Sequence, residues 1–278
     1  MREQSFWSAP MLRWAAAAIV VFNGFFPAVW ILFTSLKTET ELVQKPITWW
    51  PENPMLDNYV RAFTDQPLLH YLKNSVIVAT GATALSLVVA AFAAYAIARL
   101  NLKRRELILT CIVASSMFPL VTLLVPIFET MRALGWLNTY MALILPYVVL
   151  NLPVCTLVLV SFFQSIPRDL ENAAMIDGCT RLGALWHVVV PLAAPGVFTA
   201  GILAFVNSWD EFLLALSLNS SPAARTLPVG IALYQGEFTF PWPIISAALI
   251  VAIVPVAILI AIFQERVVGG LTQGGLKG

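Results

Sequence analysis

The sequence predicts an all-α membrane protein with six transmembrane helices, and three observations support this prediction. Of its 278 residues, 59% are hydrophobic and only 11% are charged, whereas soluble domains carry about 25% charged residues. Six separate segments are apolar over about 20 residues, the length that crosses a bilayer as a helix. Basic residues concentrate in alternate connections between these segments, which is the pattern that membrane topology produces.

The six predicted spans divide the chain into a short N-terminal segment, a transmembrane domain and a tail. They cover about residues 14–36, 74–98, 107–129, 141–163, 188–218 and 242–263. The first span is too long for a signal peptide and lacks a small-residue cleavage site, so we expect a retained anchor. Several spans contain proline, which removes a backbone hydrogen bond and kinks a helix. The predicted domains are therefore 1–13, 14–264 and 265–278.

The distribution of Lys and Arg predicts the orientation. If both termini are cytoplasmic, the cytoplasmic segments contain ten of the sixteen basic residues and the outer segments contain six. The consecutive residues Lys103, Arg104 and Arg105 strengthen the asymmetry, since basic residues are retained on the cytoplasmic side. The loop 164–187 is then cytoplasmic.

The sequence contains none of the motifs that would indicate an enzyme. There is no Walker A loop, no G-x-S-x-G elbow, no H-E-x-x-H pair and no G-x-G-x-x-G turn. The three cysteines are widely spaced and there are two histidines, so no metal site is predicted. The net charge of +1 gives no indication of nucleic-acid binding. We therefore predict a conduit or scaffold that binds no cofactor of its own.

A short polar stretch, "PRDLENAAMIDG", separates the fourth and fifth spans. Asp169 is a candidate N-cap, and Glu171 would favour the positive N-terminus of a helix. Two alanines in the middle allow close approach of another surface, and Gly178 can end the helix because it tolerates positive φ. The stretch predicts a short crosswise helix that meets a soluble partner; the alternative is a plain cytoplasmic loop.

The stretch "ENAAMIDG" followed by "VVVPLAAPG" resembles the EAA loop of bacterial ABC-importer permeases. The segments "KNSVIVA", "AAYAIARL", "SWDEFLLAL" and "GLTQGGLKG" are similar to the sugar-permease branch, akin to the smaller permease of the maltose importer. This resemblance runs from the first span to the last residue. It implies the type I importer permease (MetI-like) fold, a bacterial inner-membrane location and a cytoplasmic coupling helix at 169–178.

The resemblance also implies partners and contact residues. A second permease would complete a heterodimer, an ATPase dimer would bind ATP and Mg²⁺, and an extracytoplasmic protein would deliver sugar; membrane lipid surrounds the spans. The implied ATPase-coupling residues are Glu171, Asn172, Ala173, Ala174, Asp177 and Gly178. The implied ATPase-contact tail is Leu271, Thr272, Gln273, Gly274 and Gly275, or else a disordered terminus. Asn172 stands where this branch usually has glutamate, so the family's salt bridge to an ATPase arginine is in doubt, and Glu171 is the adjacent candidate to replace it.

Two further groups of residues are candidates for the transport pathway. Asn207, Trp209, Asp210 and Glu211 lie within the fifth predicted span. A charge at mid-bilayer costs about 2.5–3.5 kcal/mol on insertion scales, so the two acids should face protein or a wet pathway. They either contact sugar or bond helices together. Tyr234, Gln235 and Glu237 lie in the last outer loop, which either reaches a sugar-binding protein or is a solvated connection.

Three other functions are weighed against a sugar permease. An ion-coupled secondary transporter would need mid-span acid and base relays and an internal repeat, and a membrane enzyme would need a catalytic cluster; the sequence shows neither. A permease of the same family for a non-sugar solute stays open. Within the sugar branch, maltose, trehalose, sucrose and glucosylglycerol all fit, and the sequence does not select among them.

Overall fold

The computed structural model describes the backbone of residues 10–236 and 239–275, and the side chains of 13–236 and 239–263. Every regular element in the described ranges is helical, which confirms the all-α prediction. The chain forms two compact units, one of Met1–Leu68 with Ile231–Val254 and one of Leu69–Gly230 with Pro255–Gly278.

The described residues of the first segment of the first unit form three helices. These are α1 (Pro10–Ser35), α2 (Glu39–Val43) and α3 (Asp57–Thr64). The buried Asn58 amide donates to the carbonyls of Ser35 and Lys37, both at 2.9 Å. These carbonyls lie at and just beyond the end of α1 and need partners outside the helix. A single side chain therefore satisfies the end of α1 and fixes α3 beside it.

The helices that follow are α4 (Leu68–Arg99), α5 (Arg105–Ser116), α6 (Leu120–Ala133), α7 (Met141–Ser165), α8 (Arg168–Ile176), α9 (Arg181–Ala184), α10 (Val190–Leu192), α11 (Ala194–Asp210), α12 (Leu213–Leu218), α13 (Leu227–Ala232) and α14 (Trp242–Gly275), with a π-helical turn at Leu185–Val189. Within the part of the chain that the structure describes, four helical segments are long and apolar enough to cross a membrane, namely Arg13–Ser35, Leu68–Arg99, Met141–Ser165 and Trp242–Phe263.

The third and fifth predicted spans are broken rather than continuous. Helices α5 and α6 meet at 89°, and the segments Arg181–Leu192 and Ala194–Asp210 meet at 82°. Pro119 is extended at the first break, with φ −62° and ψ 126°, and Pro191 and Pro195 flank the second break at Ala193. Because proline cannot continue the hydrogen-bond ladder, the helix ends there. Counting each bent pair as one crossing gives six spans.

Helix α7 is the centre of the second unit. Its C-terminal half packs Cys155, Leu159 and Phe163 against the alanines of α4 and α11. Its N-terminal half packs Leu143 and Tyr147 against α12. Small residues on the facing helices allow the backbones to approach closely, which is how membrane helices associate.

Candidate functional site

The short helix that the sequence predicts is present as α8, and it ends at a left-handed glycine. Gly178 has φ +98°, and its amide donates to the Met175 carbonyl at 3.2 Å while the Cys179 amide donates to the Ala174 carbonyl at 2.9 Å. These bonds close the helix C-terminus. The predicted N-cap at Asp169 is wrong: the helix follows Pro167, and Asp169 lies inside its first turn. Proline fixes φ at a value compatible with entering a helix, so the helix begins one residue after it.

A buried ion pair holds α8 to the end of α4. Arg99 Nε lies 2.8 Å from Glu171 Oε2, with side-chain exposures of 6% and 8%. The Tyr95 hydroxyl donates to the other carboxylate oxygen, and Arg99 also donates to the Ile166 carbonyl at 3.1 Å. The carboxylate of Glu171 is therefore occupied within its own chain, so it does not replace the missing charge of Asn172 toward a partner.

The ion pair was missed at the sequence level, although one signal pointed to it. Tyr95 and Arg99 are spaced i, i+4 at the end of an apolar span, which places them on the same helix face. Their partner is 72 residues away from Arg99. The spacing therefore predicts that Tyr95 and Arg99 share a helix face, but it does not identify Glu171 as their partner.

The opposite side of α8 is open. Asn172, Ala173 and Asp177 are exposed, as is Gly178, while Ala174 is half-buried. Ile176 is 86% exposed, which is unusual for an isoleucine in a polar connecting segment. The helix is thus fixed on one side by Glu171 and presents small, polar and apolar groups on the other side.

A polar pocket of about 260 Å³ lies beside this helix. Its lining includes Arg99, Arg168 and Arg181, with Glu171 as the one acidic residue among the residues that line it. Because Glu171 neutralises Arg99, the other two arginines leave the pocket positive. Asn172 also lines it, so the surface around the altered EAA position favours an acidic or neutral contact over a basic one.

Asparagines join α7 to α11 in the interior of the second unit. Buried Asn151 donates to Ser208 Oγ at 2.9 Å, and it accepts a hydrogen bond from Asn207 at 2.8 Å. Asn207 itself is exposed. Asn151 was not singled out from the sequence, although a polar residue near the middle of an apolar span is itself a signal of a functional or helix-bonding position.

The four candidates on the fifth span have different surroundings. Trp209 is 3% exposed and stacks on Phe205, with ring centroids 5.6 Å apart. Glu211 accepts from the Tyr147 hydroxyl at 2.6 Å and from the amides of Leu214 and Ala215 at 2.8 and 3.0 Å. These two residues are therefore placed to support packing and the start of α12. Asn207 and Asp210 are exposed, three residues apart on the last turns of α11.

Tyr234 and Gln235, from the last predicted outer loop, lie in the first unit. Tyr234 is 8% exposed and donates to the Ala62 carbonyl, so its position differs from the exposed loop residue that the sequence predicted. Gln235 is exposed. Glu237 lies outside the described residues.

The side chains of the tail residues 271–275 also lie outside the described part, although the backbone of α14 runs to Gly275. Among the described residues, no group of three or more His, Cys, Asp or Glu side chains could hold a metal ion.

Comparisons with known proteins agree with this architecture. Residues 72–273 match the family model described as "Binding-protein-dependent transport system inner membrane component". The chain is 73% identical over 274 residues to a sulfoquinovosyl glycerol transport system permease protein of Agrobacterium fabrum, covering 99% of this chain and 96% of the relative. It is 40% identical over 257 residues to a trehalose/maltose transport system permease protein of Thermococcus litoralis, covering 91% of each chain.

A solved structure shares the fold. A chain from the crystal structure of a bacterial ABC transporter involved in the import of the acidic polysaccharide alginate superimposes with a TM-score of 0.77. The match covers 92% of this chain and 95% of the other, at 20% sequence identity. At that identity the likeness concerns the fold alone.

Proposed function

Because this chain belongs to the family of binding-protein-dependent transport system inner membrane components, we propose that it forms half of the translocation pathway of an ATP-driven glycoside importer. It is a transport component, and ATP hydrolysis takes place on a partner ATPase. A second permease completes the pathway, and an extracytoplasmic protein delivers the glycoside. Both termini face the cytoplasm, as the ten-to-six distribution of basic residues favours.

The observation that carries this proposal is the construction of α8. The buried Arg99–Glu171 pair fixes one side of the helix to α4 and to the end of α7, while the other side is free to meet a soluble subunit. Movement of a docked ATPase then moves α8, and the ion pair passes this movement to two transmembrane helices. The positive pocket beside α8 supports an ATPase contact that does not depend on a glutamate at Asn172.

The substrate that we propose first is sulfoquinovosyl glycerol, because the relative named for its transport is 73% identical along almost the whole chain. Trehalose and maltose are the alternatives, since a permease named for them is 40% identical. The proposed substrate class is therefore a small glycoside, with an anionic one as the first candidate.

An uptake assay tests this function. Cells that carry this chain with its neighbouring transporter genes, and matched cells lacking only this gene, are given labelled sulfoquinovosyl glycerol, trehalose or maltose. We expect uptake of the first glycoside that requires this gene and stops when cellular ATP is depleted. Uptake of a non-sugar solute alone, or uptake that persists without ATP, would contradict the proposal.

Replacing Gly178 by alanine is expected to lower coupled uptake severalfold while the transporter still assembles. The added Cβ meets no atom within 4 Å, so the whole effect comes from the positive φ of +98°, a strain of about 1–3 kcal/mol for other residues. Relief of that strain moves the end of α8 out of position. The measurement is glycoside-stimulated ATP hydrolysis of the purified complex.

Gly135 provides the matched control. It has φ +69°, and a Cβ added there would also meet no atom within 4 Å, but it lies after α6, away from α8 in sequence. Gly135→Ala should cost similar stability and leave glycoside-stimulated ATP hydrolysis unchanged. Equal losses of stimulated hydrolysis in both variants would show that α8 has no special part in coupling.

A further inference from the structure

A second pocket lies within the membrane-spanning part of the second unit, at the break between α5 and α6. Its volume is about 430 Å³, and it is lined by residues from that break, from α7 and from α11. Three of them have polar side chains, namely Ser116, Asn151 and Asn207. The others are apolar and include Phe118, Val154 and Leu203.

The polar side of the pocket is held in a defined orientation. The amide nitrogen of buried Asn151 donates to Ser208 Oγ at 2.9 Å. Its amide oxygen accepts a hydrogen bond from Asn207 Nδ2 at 2.8 Å. This bond fixes which way the Asn207 amide is turned. Its carbonyl oxygen and second N–H have no hydrogen-bond partner among the described residues. A pre-oriented amide with free donor and acceptor is suited to a hydroxyl-bearing ligand.

The apolar side presents an aromatic ring. Phe118 is 64% exposed and is part of the break, where the backbone leaves the helix before Pro119. Irregular backbone at membrane depth is tolerated where it is buried in protein or lines a water-filled cavity, and broken helices form substrate sites in other transporters. The ring and the amide together offer a hydrophobic face and hydrogen bonds, the two contacts that a sugar ring with its C–H face and hydroxyl rim can make.

None of the described residues that line this pocket is charged. A sulfonate or carboxylate buried there would lack a cation and incur a large desolvation cost. We propose that this pocket, with Asn207 and Phe118 as its two contact residues, is a subsite for the uncharged, hydroxyl-bearing part of the transported glycoside. The anionic group of such a substrate is then held by residues outside this pocket. This inference rests on the proposed import of glycosides.

The test compares variants of the complete transporter in proteoliposomes. Asn207→Ala and Phe118→Ala should each lower the rate of sulfoquinovosyl glycerol uptake about three- to tenfold, as expected for one lost hydrogen bond or ring contact. Phe118→Trp should retain uptake and Phe118→Leu should not, because stacking needs an aromatic face. Asn23→Ala and Phe22→Ala are matched controls on exposed positions of α1 and should transport like the parent protein.

Competition identifies the part of the glycoside that is contacted. Uptake of labelled sulfoquinovosyl glycerol is measured in the parent protein and in Asn207→Ala. The inhibitor is either unlabelled sulfoquinovosyl glycerol or unsulfonated glucosylglycerol. We expect the ratio of the two inhibition constants to stay the same, because the pocket contacts only the shared hydroxyl-bearing part. A several-fold change in the ratio would place the sulfonate at Asn207 and overturn the inference.

Two other outcomes overturn it as well. If parent uptake is ATP-dependent and the Asn207 and Phe118 variants match the controls, the pocket has no part in transport, and the importer function still stands. If these variants lose the second permease during purification, the pocket is a subunit interface instead of a subsite. Failure of the parent protein itself to transport glycosides would instead contradict the proposed function.

Discussion

Replacing Arg99 by alanine is expected to abolish glycoside-stimulated ATP hydrolysis and to lower the stability of the second unit. The substitution leaves the Glu171 carboxylate buried at 8% side-chain exposure without its charge partner, and breaking a buried pair in this way costs about 3–5 kcal/mol. The helix that carries Glu171 then loses its ion pair with α4 and keeps the longer hydrogen bond from Arg168 to the Ala98 carbonyl, at 3.4 Å. The measurements are the thermal unfolding temperature of the detergent-purified complex and its hydrolysis rate.

Two comparisons separate this effect from a general loss of charge. Arg132 pairs with Glu129 at 3.7 Å with side-chain exposures of 67% and 60%, and such a surface pair contributes about 0–1 kcal/mol. Arg132→Ala should therefore leave both measurements nearly unchanged. The double variant Arg99→Met with Glu171→Leu should recover much of the stability, since replacing both members of a buried pair by apolar residues is often neutral.

The double variant also separates stability from the transmission of movement. If the ion pair transmits movement, stability should return more completely than stimulated hydrolysis, because an apolar contact lacks the fixed geometry of two hydrogen bonds to one carboxylate. If Arg99→Ala behaves like Arg132→Ala in both measurements, the buried pair has neither role, and the attachment of α8 to α4 through this pair would be wrong.

Gly196→Ala is expected to be the second most damaging change. A Cβ at this position would lie 2.9 Å from Phe162 Cβ and closer still to two atoms of the ring. The Phe162 side chain is 9% exposed in the core between α7 and α11, so it has little room to move. Overpacking of this kind costs about 1–3 kcal/mol. Thermal unfolding of the purified complex measures the loss.

Gly201 on the same helix gives a matched control. Its added Cβ would meet Leu87 Cδ1 at 3.3 Å, the end of a flexible side chain that can shift by a few tenths of an ångström. Gly201→Ala should therefore be close to neutral, or slightly stabilising because alanine favours helix. A larger loss for Gly201→Ala than for Gly196→Ala would contradict the described packing of α7 on α11.

Much of the fold could be predicted from the sequence because it depends on local properties. Hydrophobic length predicts spans, and the span 141–163 agrees closely with α7 because α7 is apolar and continuous despite Pro146 and Pro153. The short helix before Gly178 was predictable for the same reason, since a glycine stop after two alanines is a local signal. Its exact start was not, because Pro167 rather than Asp169 determines it.

The remaining features depend on contacts between distant residues. Pro119 lies at a helix break, whereas Pro126 lies inside α6. The difference depends on tertiary packing, which cannot be read from amino-acid composition. Glu171 and Arg99 are far apart in sequence, so their pairing was not visible beforehand. The sequence places four candidate residues on the fifth span but does not tell which of them are accessible. The burial of each side chain shows that Asn207 and Asp210 are exposed.

The most direct test of the central claim is purification of the tagged chain from its native membrane, followed by measurement of ATP hydrolysis with and without its binding protein and sulfoquinovosyl glycerol. We predict that a second permease and an ATPase co-purify and that the loaded binding protein stimulates hydrolysis in the parent but much less in Gly178→Ala. A chain that purifies alone and transports alone would contradict the account, and α8 would then be a connecting loop without a coupling function.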